Sequence, residues 1–208
     1  MTTPTVFHFN DLTIMLHPSV YNPAEDTFLL LESIALSPGT KVLELGTGCG
    51  IIAVYCAQQG CHVTCTDINP HALELTYKNI QLNNHLLKGK INVRQGDLFE
   101  PLRNNEQFEC IIFNPPYLPT TCQETTDDYW FDVAVDGGTT GLSVTRRFLK
   151  DISPYLSQEG SGYFVFSTLS DQDRLHSYFT HYLLKYEQCA KQRFNNEELI
   201  IYRIFLPY

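Results

Sequence analysis

Gly46, Gly48 and Gly50 stand on alternate positions between two apolar runs, Val42-Leu43-Glu44-Leu45 before them and Ile51-Ile52-Ala53-Val54 after. Such a run reads as a buried strand turning sharply into a helix, because glycine lets the backbone bend tightly and come close to a ligand. A ligand loop at the carboxyl end of a strand commits the chain to an α/β architecture. The remaining sequence agrees. Strands are expected at 41–45, 62–66, 91–94 and 109–113, and helices at 51–59 and 70–83, an alternation that gives a parallel sheet covered by helices on both faces. Elements at 141–156, 162–167 and 171–184 continue it. The stretches 187–193 and 198–205 follow each other without a helix and predict a C-terminal antiparallel hairpin. Ahead of the glycines, 6–16 reads as a strand or hairpin. Tyr21-Asn22-Pro23-Ala24-Glu25-Asp26 reads as a helix start, with Asn22 as cap, Pro23 in the first position and Glu25 completing a capping box before the apolar run 27–36.

A chain of 208 residues with 43% hydrophobic content can bury one substantial core, so one domain over 1–208 is expected, with 1–37 as a lead-in to a core at 38–208. The formal net charge of -9 disfavours a surface that wraps nucleic acid. Seven cysteines without a leading apolar stretch predict a reducing, cytoplasmic setting, and no window is apolar enough to span a membrane. Cys61 and Cys65 come nearest to metal-ligand spacing, but the alternation between them puts both on one face of a strand, and no second cluster completes a site. No metal is expected.

A dinucleotide fingerprint reads G-x-G-x-x-G, whereas this loop reads G-x-G-x-G with Glu44 two residues ahead, the form associated with S-adenosylmethionine. That cofactor has no pyrophosphate, but its methionine carboxylate can use free backbone N–H groups around the loop, and Glu44 can help organise its ammonium end. Asp67, followed by Ile68, ends the second strand, where a carboxylate accepts hydrogen bonds from both ribose hydroxyls. Asn69 is the better cap for the helix that begins at Pro70. Asp97, followed by Leu98, comes after the third strand and is placed to accept from an adenine amino group.

The fourth strand ends in Phe113-Asn114-Pro115-Pro116-Tyr117. Prolines cannot continue a sheet ladder, so the strand stops at the edge where ligands bind. An amide or aromatic amine nitrogen is a poor nucleophile because its lone pair is delocalised; a site must hold it in line and accept its two N–H groups. Asn114 offers its side-chain carbonyl and Pro115 its backbone carbonyl, both restricted to extended geometry because each precedes a proline. Tyr117 offers a flat face to a planar group.

These motifs in this order resemble the HemK-type glutamine methyltransferases, which methylate the Gly-Gly-Gln loop of translation release factors. The resemblance covers nearly the whole chain through 21–27, Glu44 to Gly50, 66–70, Asp97-Leu98, Asn114 to Tyr117 and Gly137-Gly138-Thr139-Thr140-Gly141, and is nearest to the short eukaryotic and archaeal branch. It implies a Rossmann-like seven-stranded class I methyltransferase sheet. It also implies a cofactor site of Thr27, Glu44, Gly46, Gly48, Asp67, Ile68, Asp97, Leu98 and Asn114, and a substrate site of Asn114, Pro115, Pro116 and Tyr117. In the short branch a small zinc-containing activator commonly adds a strand to the sheet edge. Set beside the longer bacterial branch, the chain is expected to do without that branch's helical substrate-recognition domain, and the loop between Tyr117 and Gly137 is its own.

Asn-Pro-Pro-Tyr also serves methyltransferases that act on exocyclic amines of adenine or cytosine. The stretch 123–136 carries Glu124, Asp127, Asp128, Asp132 and Asp136 with no Lys or Arg, a poor mouth for a phosphate backbone, and favours a protein substrate; its plainer reading is a solvated acidic loop. A nucleotide-binding oxidoreductase or a binding module is disfavoured by the glycine spacing.

Overall fold

The computed structural model describes residues 5–122, 126–194 and 196–207. β1 (Val6–Phe9) and β2 (Leu12–Met15) form an antiparallel hairpin within the expected stretch. The chain continues through α1 (Glu25–Ser33), β3 (Lys41–Leu45), α2 (Ile51–Gln58), β4 (His62–Asp67), α3 (Pro70–Asn83), β5 (Lys90–Gln95) and β6 (Phe108–Phe113). Then come α4 (Tyr129–Val135), α5 (Ser143–Asp151), β7 (Leu156–Ser167), α6 (Gln172–His181), β8 (Lys185–Phe194) and β9 (Glu197–Phe205).

Seven strands build one sheet in the order β5-β4-β3-β6-β7-β9-β8. β5, β4, β3, β6 and β7 run parallel, while β9 is antiparallel to both β7 and β8. The expected mostly parallel sheet ending in an antiparallel hairpin is the one formed. From β3 the chain moves outward to β4 and β5, then returns to place β6 on the other flank of β3. The loops leaving β3 and β6 therefore diverge at a topological switch point, and a crevice opens at the carboxyl ends of these two strands.

β3 is buried on both faces, as a central parallel strand must be. Val42 packs into a core with the hairpin, α1, α2 and α3, while Leu43 and Leu45 pack into a second core with α5 and α6; all three are fully buried. Phe148 of α5 anchors the second core, with its ring 5.2 Å from that of Phe113 and 5.7 Å from that of Phe164. Emptying that position costs about 3–5 kcal/mol, and Phe113 is the residue immediately before Asn114.

Two buried asparagines of α3 tie the hairpin to the sheet. Asn83 accepts from Thr13 N–H at 2.9 Å and donates to the Thr13 carbonyl at 2.8 Å; Asn79 accepts from Met15 N–H at 2.7 Å and donates to the Met15 carbonyl at 3.0 Å. Each carboxamide thus acts as a residue of a neighbouring strand would, satisfying the free edge of β2. Asn79 also donates to the Cys49 carbonyl at 2.8 Å, which links hairpin, helix and glycine loop.

Three expectations need correction. α1 begins at Glu25 with Ala24 as its cap, so neither Asn22 nor Pro23 has the expected role. Asp26 Oδ1 takes the Thr27 N–H at 2.6 Å, and the Thr27 hydroxyl rather than Glu25 takes the Ala24 N–H at 3.4 Å. The segment at 141–156 is helical only to Asp151, and Leu156 already pairs with Phe108. The stretch 123–136 is no plain loop, because Tyr129–Val135 forms α4. Asp128 caps it, accepting from the N–H groups of Trp130 and Phe131. Asp136 accepts from Gly138 N–H at 2.8 Å, and Asp132 from the Thr126 hydroxyl at 2.9 Å. These carboxylates are structural as well as acidic. Glu124 lies outside the described residues.

Candidate active site

The crevice contains a cavity of about 270 Å³. Every sequence-assigned site residue lines it: Thr27 from α1, Glu44, Gly46 and Gly48 from the end of β3 and its loop, Asp67 and Ile68 from the end of β4, Asp97 and Leu98 after β5, and Asn114 to Tyr117 after β6. Strands that run parallel bring their carboxyl ends to one edge, so residues far apart in sequence converge.

The glycine loop is shaped from within. Gly50 has φ +80°, and a Cβ there would lie 2.8 Å from the Thr76 side chain, so only glycine suits the turn into α2. Thr47 N–H donates to the Thr66 carbonyl at 3.0 Å, Gly50 N–H to the Thr47 carbonyl at 2.8 Å, and Gly48 N–H to Asp67 Oδ2 at 2.8 Å. The expectation that a ligand carboxylate uses free N–H groups of the loop fails for these three, because the protein already satisfies them.

Asp67 Oδ1 accepts from Asn69 N–H at 2.8 Å. Each carboxylate oxygen thus holds one backbone donor and keeps lone-pair capacity for another. Burial pushes the Asp67 carboxyl above its usual range against the opposing pull of these N–H groups. Asn69 caps α3 as expected, accepting from His71 N–H at 2.9 Å.

Glu44 is 2% exposed and takes the Thr47 hydroxyl at 2.7 Å. Burial raises it from 4.5 to about 8, with the Thr47 hydrogen bond opposing and the nearby Asp67 charge adding to the rise. Thr27 donates its hydroxyl to Asp26 Oδ1 at 3.1 Å. Ile68 is 45% exposed and is one of the residues lining the cavity. Leu98 adopts φ +49°, an uncommon conformation for a residue with a side chain, and its carbonyl accepts from the Thr66 hydroxyl at 3.1 Å. Asp97 is paired with Arg147 of α5 at 2.5 Å, a contact the sequence did not suggest.

At the end of β6, Asn114 donates its Nδ2 to Asp26 Oδ2 at 3.1 Å. Its Oδ1 is buried and meets no hydrogen-bond donor among the described residues. The Tyr117 hydroxyl donates to the same Asp26 oxygen at 3.0 Å, and that of Tyr21 at 3.1 Å. Burial and the Asp26 charge raise both phenols well above their ordinary range, so both remain donors at neutral pH. The Tyr117 carbonyl accepts from the Ser170 hydroxyl at 2.7 Å, and a Cβ on Gly141 would stand 2.5 Å from that carbonyl, which explains a glycine in the Gly-Gly-Thr-Thr-Gly turn.

Sequence reasoning missed Asp26, Arg147 and the α4 residues Trp130 and Val133, which also line the cavity. The apolar residues that follow Asp128 are a local helix signal, set among acidic residues that by themselves suggest a solvated loop. Asp26 stands in the sequence only as part of a helix start, with no local sign that it meets Asn114. Among the described residues no helix is long and apolar enough to cross a membrane, and no group of His, Cys, Asp and Glu is arranged to hold a metal.

The family model for the methyltransferase small domain matches residues 11–130. A putative protein N5-glutamine methyltransferase of Methanocaldococcus jannaschii is 34% identical over 197 residues, covering 94% of this chain and 96% of the relative. The human methyltransferase HEMK2 is 34% identical over 70% of this chain and 71% of its own length. The release factor glutamine methyltransferase of Geobacter sulfurreducens is 32% identical, but the match spans only 55% of that longer protein. Among solved structures, the E. cuniculi Mtq2–Trm112 complex, described as responsible for methylation of the eRF1 translation termination factor, superposes with a TM-score of 0.69 at 23% identity. That match covers 91% of this chain and 99% of the solved one. With the family model matched over more than half its length and a relative at 34% identity along nearly all of it, the chain belongs to the methyltransferase small-domain family, in its HemK-type glutamine methyltransferase branch.

Proposed function

We propose that this chain transfers a methyl group from S-adenosylmethionine to the side-chain amide nitrogen of the glutamine in a Gly-Gly-Gln loop of a translation release factor. The observation that carries this reading is Asn114 Oδ1, a buried acceptor without a donor in the wall of the cavity. A buried acceptor left unmatched costs about 1–3 kcal/mol, and an entering N–H group relieves that penalty. The names of the relatives support the choice of glutamine and of release factors.

The donor set also fits the cofactor. Asp67 keeps acceptor capacity on both oxygens for a vicinal diol, Ile68 and Leu98 offer apolar surface to a planar base, and Asp97 offers a carboxylate at that end. Glu44 is a carboxyl that a neighbouring ammonium group would ionise. When bound, S-adenosylmethionine supplies an electrophilic methyl on a sulfonium centre.

The chain's own residues then hold the nucleophile. Asn114 Oδ1 and the Pro115 carbonyl accept the two N–H groups of the glutamine amide, fix its plane and steady positive charge that develops on nitrogen. Two glycines before the glutamine let the peptide backbone enter a narrow slot. Water exclusion falls to Tyr21 and Trp130, which line the cavity from the segment before α1 and from α4.

A small activator subunit is a further part of the proposal. β5 and β8 are the two edges of the sheet, and an added strand would satisfy an open one. A second substrate reading, the exocyclic amine of a nucleic-acid base, has one observation in its favour: Arg146, Arg147, Lys150 and Arg174 line a cleft beside the cavity. The deciding experiment offers labelled S-adenosylmethionine with release factor, its Gln-substituted variant, duplex DNA and total RNA. Label on the intact factor alone is expected. Strong labelling of nucleic acid, or equal labelling of the substituted factor, overturns the protein-glutamine reading.

A further inference from the structure

We propose that Asp26 is a positioning residue that sets the polarity of the Asn114 amide, holding its NH2 end inward so that its oxygen is the end presented to the substrate. The proposal rests on the reading of Asn114 as acceptor for the substrate amide and adds what makes it one.

A carboxamide has an oxygen and an NH2 of nearly equal size, so shape alone does not decide which faces the cavity. The neighbour must decide. Asp26 is 2% exposed, and its two oxygens receive five hydrogen bonds: Thr27 N–H and hydroxyl on Oδ1, and Tyr21 hydroxyl, Tyr117 hydroxyl and Asn114 Nδ2 on Oδ2. A group surrounded by donors acts purely as acceptor. Turning Asn114 over would set its oxygen against Asp26 Oδ2 at about the 3.1 Å now spanned by Nδ2, acceptor against acceptor in a buried place. The unpartnered Oδ1 is therefore the counterpart of this contact: Asp26 claims the donor end and leaves the acceptor end for the ligand.

Asp26→Asn makes the inference testable because the replacement has a forced orientation. Thr27 N–H, 2.6 Å from Oδ1, is a backbone donor that cannot reverse, so the new carbonyl must take that side and the new NH2 must take the Oδ2 side. Facing an NH2, Asn114 turns over and offers NH2 to the cavity. Asn114→Asp then repairs the pair in the double variant: the carboxamide introduced at position 26 donates to one oxygen of the carboxylate introduced at position 114, and the other oxygen of that carboxylate faces the cavity as an acceptor.

Two measurements on the full chain decide it. In the protein without substrate, the side-chain NH2 resonances of Asn114 should exchange slowly with solvent in the wild type and at least tenfold faster in Asp26→Asn. In steady-state methylation of release factor with labelled S-adenosylmethionine, Asp26→Asn should lower kcat on the order of 10²–10³-fold, the usual effect of losing one aligned polar contact to a transition state. KM and cofactor Kd should stay within a few-fold, and the double variant should regain at least tenfold over Asp26→Asn. Unchanged amide exchange, unchanged kcat, or a double variant no better than the single overturns the proposal. Should Asn114→Ala prove fully active, the acceptor reading fails, whereas the exchange experiment still decides whether Asp26 orients the amide.

Discussion

Replacing Glu44 by glutamine should remove a pH-dependent instability that the wild type carries. Glu44 holds its proton up to about pH 8 in the folded chain, against an ordinary value of 4.5, because it is buried. Between these values the folded state binds more protons than the unfolded state. Stability is therefore fully present below pH 4.5 and is lost as the pH rises through the window, by about 1.4 kcal/mol for each pH unit. The whole window amounts to roughly 5 kcal/mol as an upper bound. At roughly 2–4 °C per kcal/mol for a chain of this size, the wild type should lose on the order of 10 °C of Tm relative to the variant between pH 5 and pH 8. Glutamine has nearly the same shape, keeps a carbonyl oxygen for the Thr47 hydroxyl and cannot ionise. Asp67 is raised as well and contributes a slope of the same sign, so the comparison must be the difference between the two proteins, not the wild-type curve alone. Thermal melts in buffers of matched ionic strength across that range provide the measurement. Parallel melting curves would show that Glu44 is already ionised in the fold and would remove the basis for its ammonium role. S-adenosylhomocysteine, which carries the same ammonium, extends the test: its binding at pH 7 should release close to one proton from the wild type and none from Glu44→Gln, read by calorimetry in buffers of different ionisation enthalpy.

Asp67→Ala should weaken S-adenosylmethionine by about 1.5–3 kcal/mol through lost charge-assisted hydrogen bonds; unchanged affinity in a calorimetric titration rules out the ribose role. Asn114→Ala should bind cofactor within a few-fold of wild type yet turn over on the order of 10²-fold or more slowly, and retention of most activity contradicts the acceptor role. Asn79→Ala should destabilise the chain by about 1–3 kcal/mol in urea, because Met15 N–H and the Met15 and Cys49 carbonyls lose their partner. A loss below a few tenths would show that water replaces the carboxamide.

What the sequence determined by itself is the part encoded within a few neighbouring residues. Apolar runs closed by glycine or proline marked β3 and β6, their alternation with helical periods implied a parallel sheet, and topology then carried Glu44, Asp67, Asp97 and Asn114 to one edge without knowledge of any side-chain contact. Tertiary structure alone decided the polarity of the site. Asp26 and Asn114 are 88 positions apart and Thr13 and Asn83 are 70 apart, so no local propensity registers that they meet. Asp26 became the hub of Asn114, Tyr117 and Tyr21 only when α1 packed beside the end of β6, and Asp97 found Arg147 only when α5 packed against the sheet. Asn79 and Asn83 carry no local signal of burial on α3, and they are buried because the hairpin offers them a strand edge to complete. A buried polar atom must be matched by a donor or acceptor wherever the chain can supply one, and the side-chain atom left unmatched among the described residues, Asn114 Oδ1, is the acceptor on which the proposed substrate reading rests.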